Sequence, residues 1–119
     1  MTSEGTAGAG TADRDRQAIE DMLEFCDQAA RLVTRGRAAF ESDEMLRLAA
    51  EALTQRVSEA ASRLSQGFQR QHSEVPWRAI RGMRNLVAHD YGRIDHRVVW
   101  NTLATDFPAL ASKLRAEGI

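Results

Sequence analysis

The apolar residues of the first third of the chain recur every three or four positions, the spacing of one buried helix face. This pattern predicts a first helix from about Asp13 to Arg35, ended by Gly36. Its predicted core positions are Ile19, Met22, Leu23, Cys26, Ala30 and Val33. Because Cys26 lies on this stripe, we expect it to be a small core residue rather than a nucleophile.

A second helix is predicted to begin near Ser42, where a hydroxyl followed by two acidic residues is a typical start signal, and to reach about Gly67. Its predicted buried stripe is Leu46, Ala49, Leu53, Val57, Ala60 and Leu64. Glu59 lies beside this stripe, either solvated or paired with an arginine at the margin of the core. The polar run at positions 67–75 predicts a loop.

Pro76 suits the first turn of a third helix, for which Ser73 or Glu74 would be the cap. The core face of this helix would be Trp77, Ile80, Met83 and Val87. Beyond Gly92, Asp95 is positioned to cap a fourth helix whose apolar residues are Val98, Val99, Trp100 and Leu103.

Pro108 should break or kink the fourth helix, and Asp106 is the candidate cap of a last segment with Leu110 and Leu114. No alternation typical of β-strands and no internal repeat is present. We therefore predict an all-α fold, an antiparallel bundle of four to five helices.

Composition supports one small soluble domain. The 119 residues are 43% hydrophobic but only 6% aromatic, which suits packed helices. Residues 1–12 are predicted to be a flexible N-terminal tail ahead of a domain at 13–119, and they lack the basic and apolar parts of a signal peptide. One cysteine excludes an intramolecular disulfide, and no apolar run approaches the ~18 residues of a membrane span. We expect a cytoplasmic protein that has no contact with membranes.

Positive charge is concentrated in one segment. The formal net charge of −1 excludes a globally basic surface, but the stretch between Trp77 and Trp100 contains five arginines and only two aspartates. Such a patch could dock phosphates, although on a small helical protein it is more often a solvated face.

The run 84–91 places an arginine, a histidine and a tyrosine close together. On an ideal helix Arg84 and His89 would lie roughly 140° apart, on different faces. If the helix frays before Gly92, His89 and Tyr91 could turn towards Arg84, or each could meet its counterparts across a symmetric interface.

These groups suit RNA cleavage, because RNA carries its own nucleophile, the 2′-hydroxyl. His89 could move the proton and Arg84 could stabilise charge on the phosphate oxygens. His89, Asp90, Asp95 and His96 match no standard set of metal ligands, so we expect neither a metal ion nor another cofactor.

The run Arg84-Asn85-Leu86-Val87-Ala88-His89-Asp90-Tyr91 resembles the Arg-x4-His-x-Tyr signature of HEPN-domain toxins of the HepT type. The resemblance extends over about residues 15 to 117 and includes these runs, in the family's order: Ser58-Glu59-Ala60, Leu64-Ser65, Pro76-Trp77-Arg78, Val99-Trp100 and Asp106-Phe107-Pro108-Ala109-Leu110. The chain departs from the family at Ser58, where many relatives have glycine, a change that we expect to matter little. The Gly-rich tail has no counterpart in the family.

The resemblance implies a HEPN-like homodimer with an RNA-cleaving cleft where two motifs meet. It implies that Arg84 and His89 are catalytic. We also predict supporting or RNA-binding roles for Asn85, Asp90, Arg81, Arg78 and Glu59. The resemblance also implies the toxin of a type VII toxin–antitoxin system, whose partner is a minimal nucleotidyltransferase antitoxin that transfers AMP from ATP to Tyr91.

Other interpretations remain open at this point. Arg84 could pair with Glu59 or Asp90, His89 could cap a helix end, and Tyr91 could be an interface aromatic. The whole chain could be a non-catalytic helical subunit that docks a nucleotidyltransferase and nucleotide or substrate, or a purely structural dimerising bundle.

Overall fold

The computed structural model describes the backbone of residues 3–85 and 94–118, and side chains from residue 10 onwards within those ranges. These residues form helices joined by short turns, and none of them lies in a β-strand. The all-α prediction is confirmed. The predicted residues Val87, His89, Asp90, Tyr91 and Gly92 lie outside the described ranges.

Helix α1 comprises Ser3–Val33, so it begins about three turns before the predicted Asp13. Extending an existing helix costs far less than nucleating one, which lets an alanine-containing run continue a helix fixed by downstream packing. The flexibility expected of residues 1–12 stays a prediction. Gly36 ends this region as expected, with a positive φ of 94° that favours glycine.

Helix α3, Glu44–Ser62, follows a short helix α2, Arg37–Ser42, that the sequence did not predict. The cap of α3 is Asp43 rather than Ser42, and its carboxylate accepts a hydrogen bond of 2.9 Å from the Met45 N–H. The helix ends five residues before the predicted Gly67.

Helix α4, Gln66–Gln71, occupies the run that is predicted to be a loop, so that prediction is wrong. The run is helical because residues distant in the sequence stabilise it. The Ser65 hydroxyl caps α4 by accepting from the Phe68 N–H at 3.1 Å. Asp15 of α1 accepts hydrogen bonds from the Ser65 N–H at 2.8 Å and from the Ser65 hydroxyl at 2.7 Å. Phe68 packs against the core, so a polar run is held helical by contacts from elsewhere in the chain.

The last three elements are α5 at Trp77–Gly82, α6 at His96–Asn101 and α7 at Phe107–Ala116. A π-helical turn, Thr102–Asp106, joins α6 to α7, so Pro108 does not break the helix. The Phe107 N–H donates to the Thr102 carbonyl five residues back, and the wider turn takes up the disruption expected from a proline, which lacks an N–H. Asp106 makes no capping hydrogen bond.

The core lies where α1 packs along α3 and α7. Asp15 meets Ser65 and Asp21 meets Arg63, so α1 and α3 run antiparallel. Most predicted core positions are buried, but Ala29 and Ala50 are buried in place of the neighbouring Ala30 and Ala49. The fully buried side chains of largest volume are Phe40, Phe107, Met22, Leu103, Leu114 and Val57.

Cys26 is a core residue, as predicted, and burial raises the pKa of its thiol to about 12. Within the described residues, no helix is long and apolar enough to cross a membrane.

For function, the most important packing contact is that of α5 against α3, because α5 leads directly into Arg84.

Candidate functional site

Helix α5 presents the motif arginines because its apolar residues anchor it. Trp77 is 5% exposed and its indole Nε1 donates to the His72 carbonyl at 2.9 Å, while Ile80 is 2% exposed. Pro76 occupies the N-cap position, and no side chain caps this helix, so the capping predicted for Ser73 or Glu74 is wrong. With Trp77 and Ile80 inward, Arg78 is left exposed.

Arg81 is held at both ends. Its guanidinium donates to the Gln69 side-chain oxygen on α4, and its backbone carbonyl accepts a hydrogen bond of 2.6 Å from the Ser58 hydroxyl on α3. A guanidinium that already has a protein partner is a weaker candidate for RNA than Arg78, for which no partner is found among the described residues.

Arg84 and Asn85 are exposed, and the backbone is helical at both residues, where the described range stops. Within that range the Arg84 side chain forms no ion pair, so the structure does not join it to Glu59. The partnership with Asp90 and the positions of His89 and Tyr91 fall outside the described residues.

Glu59 is exposed on α3 and lines a shallow surface pocket with Arg56 and Arg63. Arg63 is paired with Asp21 of α1 at 2.9 Å. Glu59 therefore lies in a mixed-charge surface region between α1 and α3, and its predicted supporting role in catalysis stays a prediction.

Downstream of the motif segment, α6 begins with a well-formed cap. The Asp95 carboxylate accepts from the Arg97 N–H at 3.0 Å, as predicted, and also from the Arg97 guanidinium. These hydrogen bonds lower the pKa of Asp95 below its usual value and raise that of Arg97. A ring nitrogen of His96 lies 3.2 Å from a carboxylate oxygen of Glu51 on α3. Helices α5 and α6, which precede and follow the motif segment, therefore both contact α3 through polar side chains.

Sequence reasoning missed a polar cleft beside α5. It measures about 380 Å³ and is lined by Gln66, Gln69, Arg70, Ser73 and Arg81. These lining residues include two arginines, two glutamines and a serine, and no acidic residue is among them, so the described lining carries positive formal charge. It was missed because α4 was predicted to be a loop.

A second groove has a different character. It measures about 880 Å³, lies between α1 and α4, and has a mainly apolar lining that includes Ile19, Leu23 and Phe68. Of the motif residues that the structure describes, neither Arg84 nor Asn85 lines this groove, so its size alone does not make it the better candidate for chemistry.

The model of the HepT-like family, described as ribonuclease HepT-like, matches residues 17–117. A provisionally named RNase of Caldanaerobacter subterraneus subsp. tengcongensis is 32% identical over 104 residues, which cover 84% of this chain and 90% of that protein. A provisionally named ribonuclease HepT of Thermococcus cleftensis is 39% identical over 57 residues, 48% of this chain and 52% of that protein. No solved structure gives a significant match.

Proposed function

This chain belongs to the HepT-like family of ribonucleases, and from that premise we propose that it cleaves RNA with Arg84 and His89 as catalytic residues. The observation that most supports the proposal is that the matched segment, 17–117, contains the complete Arg-x4-His-x-Tyr spacing. The exposed Arg84 side chain, which has no partner among the described residues, adds to this support.

The proposed reaction is transfer of a phosphodiester within the substrate. The ribose 2′-oxygen attacks the adjacent phosphorus, the bond to the 5′-oxygen breaks, and the products are a cyclic phosphate and a 5′-hydroxyl. His89 removes the 2′-hydroxyl proton or returns one to the leaving oxygen, because imidazole titrates near neutral pH. Arg84 stabilises the negative charge that develops on the phosphate oxygens.

This mechanism assigns no step to a metal ion. The nucleophile comes from the substrate, and the charge that a metal would neutralise is met by a guanidinium. Cleavage should therefore continue in excess EDTA.

We propose that the active form is a homodimer. One chain supplies one His89, whereas cleavage needs both a base and an acid. A two-fold axis near the motif would bring two copies of His89 into one cleft, since an isologous interface presents the same patch from each subunit.

We also propose that Tyr91 is the regulatory residue of a type VII toxin–antitoxin system. The Tyr91 oxygen would attack the α-phosphorus of ATP in a partner nucleotidyltransferase, which forms a tyrosyl–AMP bond and releases pyrophosphate. The added phosphate would be negative beside Arg84 and would compete with RNA for it.

The deciding experiment compares wild type, His89→Ala, Arg84→Ala and a matched control, Arg14→Ala, in which an exposed arginine outside the motif is removed from α1. We expect wild type and control to cut RNA equally, with and without EDTA, and both motif variants to lose cleavage at unchanged helical content. A wild type that does not cut RNA, an active His89→Ala or inhibition by EDTA would refute the mechanism.

The regulatory part has its own test. Protein co-expressed with the nucleotidyltransferase should gain the mass of one or more AMP groups, mapped to Tyr91 by peptide mass spectrometry and absent in Tyr91→Phe. Modified protein that cuts RNA as fast as unmodified protein would show that Tyr91 is not the switch.

A further inference from the structure

The last turn of α5 is secured from outside the helix. Carbonyl groups in the last turn of a helix lack some of their intrahelical donors. At this end the Met83 N–H reaches the Ile80 carbonyl, three residues back, at 3.2 Å, so the turn is tightened. The Arg81 carbonyl, in the same turn, receives the Ser58 hydroxyl at 2.6 Å.

Ser58 differs from the other hydroxyl residues around it on α3. Thr54 and Ser62 donate to carbonyls of their own helix, those of Ala50 at 2.9 Å and Ser58 at 3.0 Å. The Ser58 side chain is fully buried and its hydrogen bond joins two helices, across 23 positions of sequence. A buried hydroxyl must have a partner, and here that partner is the α5 backbone.

A second contact holds the same residue of α5. The Arg81 guanidinium is bound by Gln69 of α4, so Arg81 is fixed by α3 at its backbone and by α4 at its side chain. Arg84 follows three residues later, with its side chain exposed. The described chain gives the Arg84 guanidinium no partner, so its position depends on the backbone that carries it, to which Ser58 is hydrogen bonded three residues earlier, at Arg81.

We propose that Ser58 is a positioning residue for RNA cleavage: its hydroxyl fixes the end of α5 and thereby the place at which Arg84 meets the phosphate. This inference rests on the ribonuclease function proposed above. A displacement of about 1 Å at a catalytic group can cost on the order of a hundred-fold in rate, so one buried hydrogen bond is enough to matter.

The test measures kcat and KM for Ser58→Ala with two controls on the same helix, Thr54→Val and Ser62→Ala. Each control removes a hydroxyl that bonds only within α3. We expect Ser58→Ala to lower kcat about ten- to a hundred-fold with KM changed little, because positioning acts on the transition state. Both controls should keep wild-type kcat. An unchanged kcat in Ser58→Ala would overturn the proposal.

A double-mutant cycle separates positioning from general destabilisation. Lysine cannot reproduce the bidentate phosphate contact of arginine, so in Arg84→Lys the exact placement of the chain matters less. Ser58→Ala should therefore cost much less in the Arg84→Lys background than in wild type. Equal fold losses in both backgrounds would show that Ser58 does not act through Arg84.

Hydrogen exchange gives a readout that needs no activity. In Ser58→Ala, amides at positions 82–85 should exchange faster while those in the middle of α3 are unchanged, and unaltered exchange at 82–85 would refute the anchoring role.

If Ser58→Ala does not fold, Ser58→Cys replaces the hydroxyl with a weaker donor of similar size. A wild type that fails to cut RNA would refute the proposed function, whereas a cutting wild type with a fully active Ser58→Ala would refute only this inference.

Discussion

Replacing Asp15 by alanine tests how α4 is held in place. Asp15 is 7% exposed, and its carboxylate accepts two hydrogen bonds, from the Ser65 N–H at 2.8 Å and the Ser65 hydroxyl at 2.7 Å. Ser65 in turn caps α4. Asp15→Ala therefore removes the acceptor of both Ser65 donors at a partly buried helix start.

The expected cost follows from those two bonds. A hydrogen bond to a charged group contributes about 1.5–3 kcal/mol, and the lower figure applies here because the carboxylate is itself desolvated. Two such bonds give about 3 kcal/mol of lost stability. Asp15→Asn keeps one acceptor oxygen in the same place, so its loss should be intermediate.

Asp13→Ala is the matched control. Asp13 lies on the same helix and is paired with Arg16 at 2.7 Å, but their side chains are 63% and 68% exposed. Exposed pairs of this kind contribute only about 0–0.5 kcal/mol. Two aspartates with equally short contacts should thus differ several-fold in effect, and the difference is due to burial.

The assay is urea unfolding followed by circular dichroism, at one protein concentration for all variants so that any self-association contributes equally. With a urea dependence of about 2 kcal/mol/M, Asp15→Ala should lower the midpoint by about 1.5 M. Asp13→Ala should shift it by about 0.25 M or less. If the two midpoints coincide, the Asp15–Ser65 bonds do not stabilise the bundle and the reasoning from burial fails.

Three further predictions follow from individual side chains. The Cys26 thiol should resist alkylation at neutral pH in the folded protein, because it is buried and has a pKa of about 12. It should react once urea unfolds the protein, and rapid labelling of native protein would contradict this prediction. Leu103→Ala should cost about 3 kcal/mol in a urea titration, whereas Leu48→Ala, at a half-exposed site, should stay within about 0.5 kcal/mol; equal losses would contradict the described core. Arg78→Ala should reduce the slope of log affinity against log salt for RNA by about one, and an unchanged slope would show that Arg78 contacts no phosphate.

The main helices could be predicted from the sequence because their causes are local. The spacing of Ile19, Met22 and Cys26 identifies the buried face of α1, and Asp95 begins α6 through a bond to a residue two positions away. Helix α4 could not be predicted in this way, because four of its six residues are polar, one is Gly67, and Phe68 is its one large apolar side chain. The contact that secures its start comes from Asp15, 50 positions earlier.

The candidate site, too, could be predicted only as far as local sequence determines it. The residue types and their spacing were visible in the sequence, and the buried face of Trp77 and Ile80 explains why Arg78 is exposed. The sequence could not show whether each side chain is exposed or is already hydrogen bonded within the protein. Ser58 was treated as a minor departure from the family, yet it is fully buried and bonded to the α5 backbone.

Arg81 shows why a charge pattern is an incomplete guide to a binding surface. Arg78, Arg81 and Arg84 repeat at intervals of three, and from sequence they look equivalent. The structure separates them: Arg81 is bound by Gln69 and Ser58, whereas the described chain gives Arg78 and Arg84 no such partner. Of the three, the exposed guanidinium groups without a described partner are therefore those of Arg78 and Arg84, whereas Arg81 joins α5 to α3 and α4.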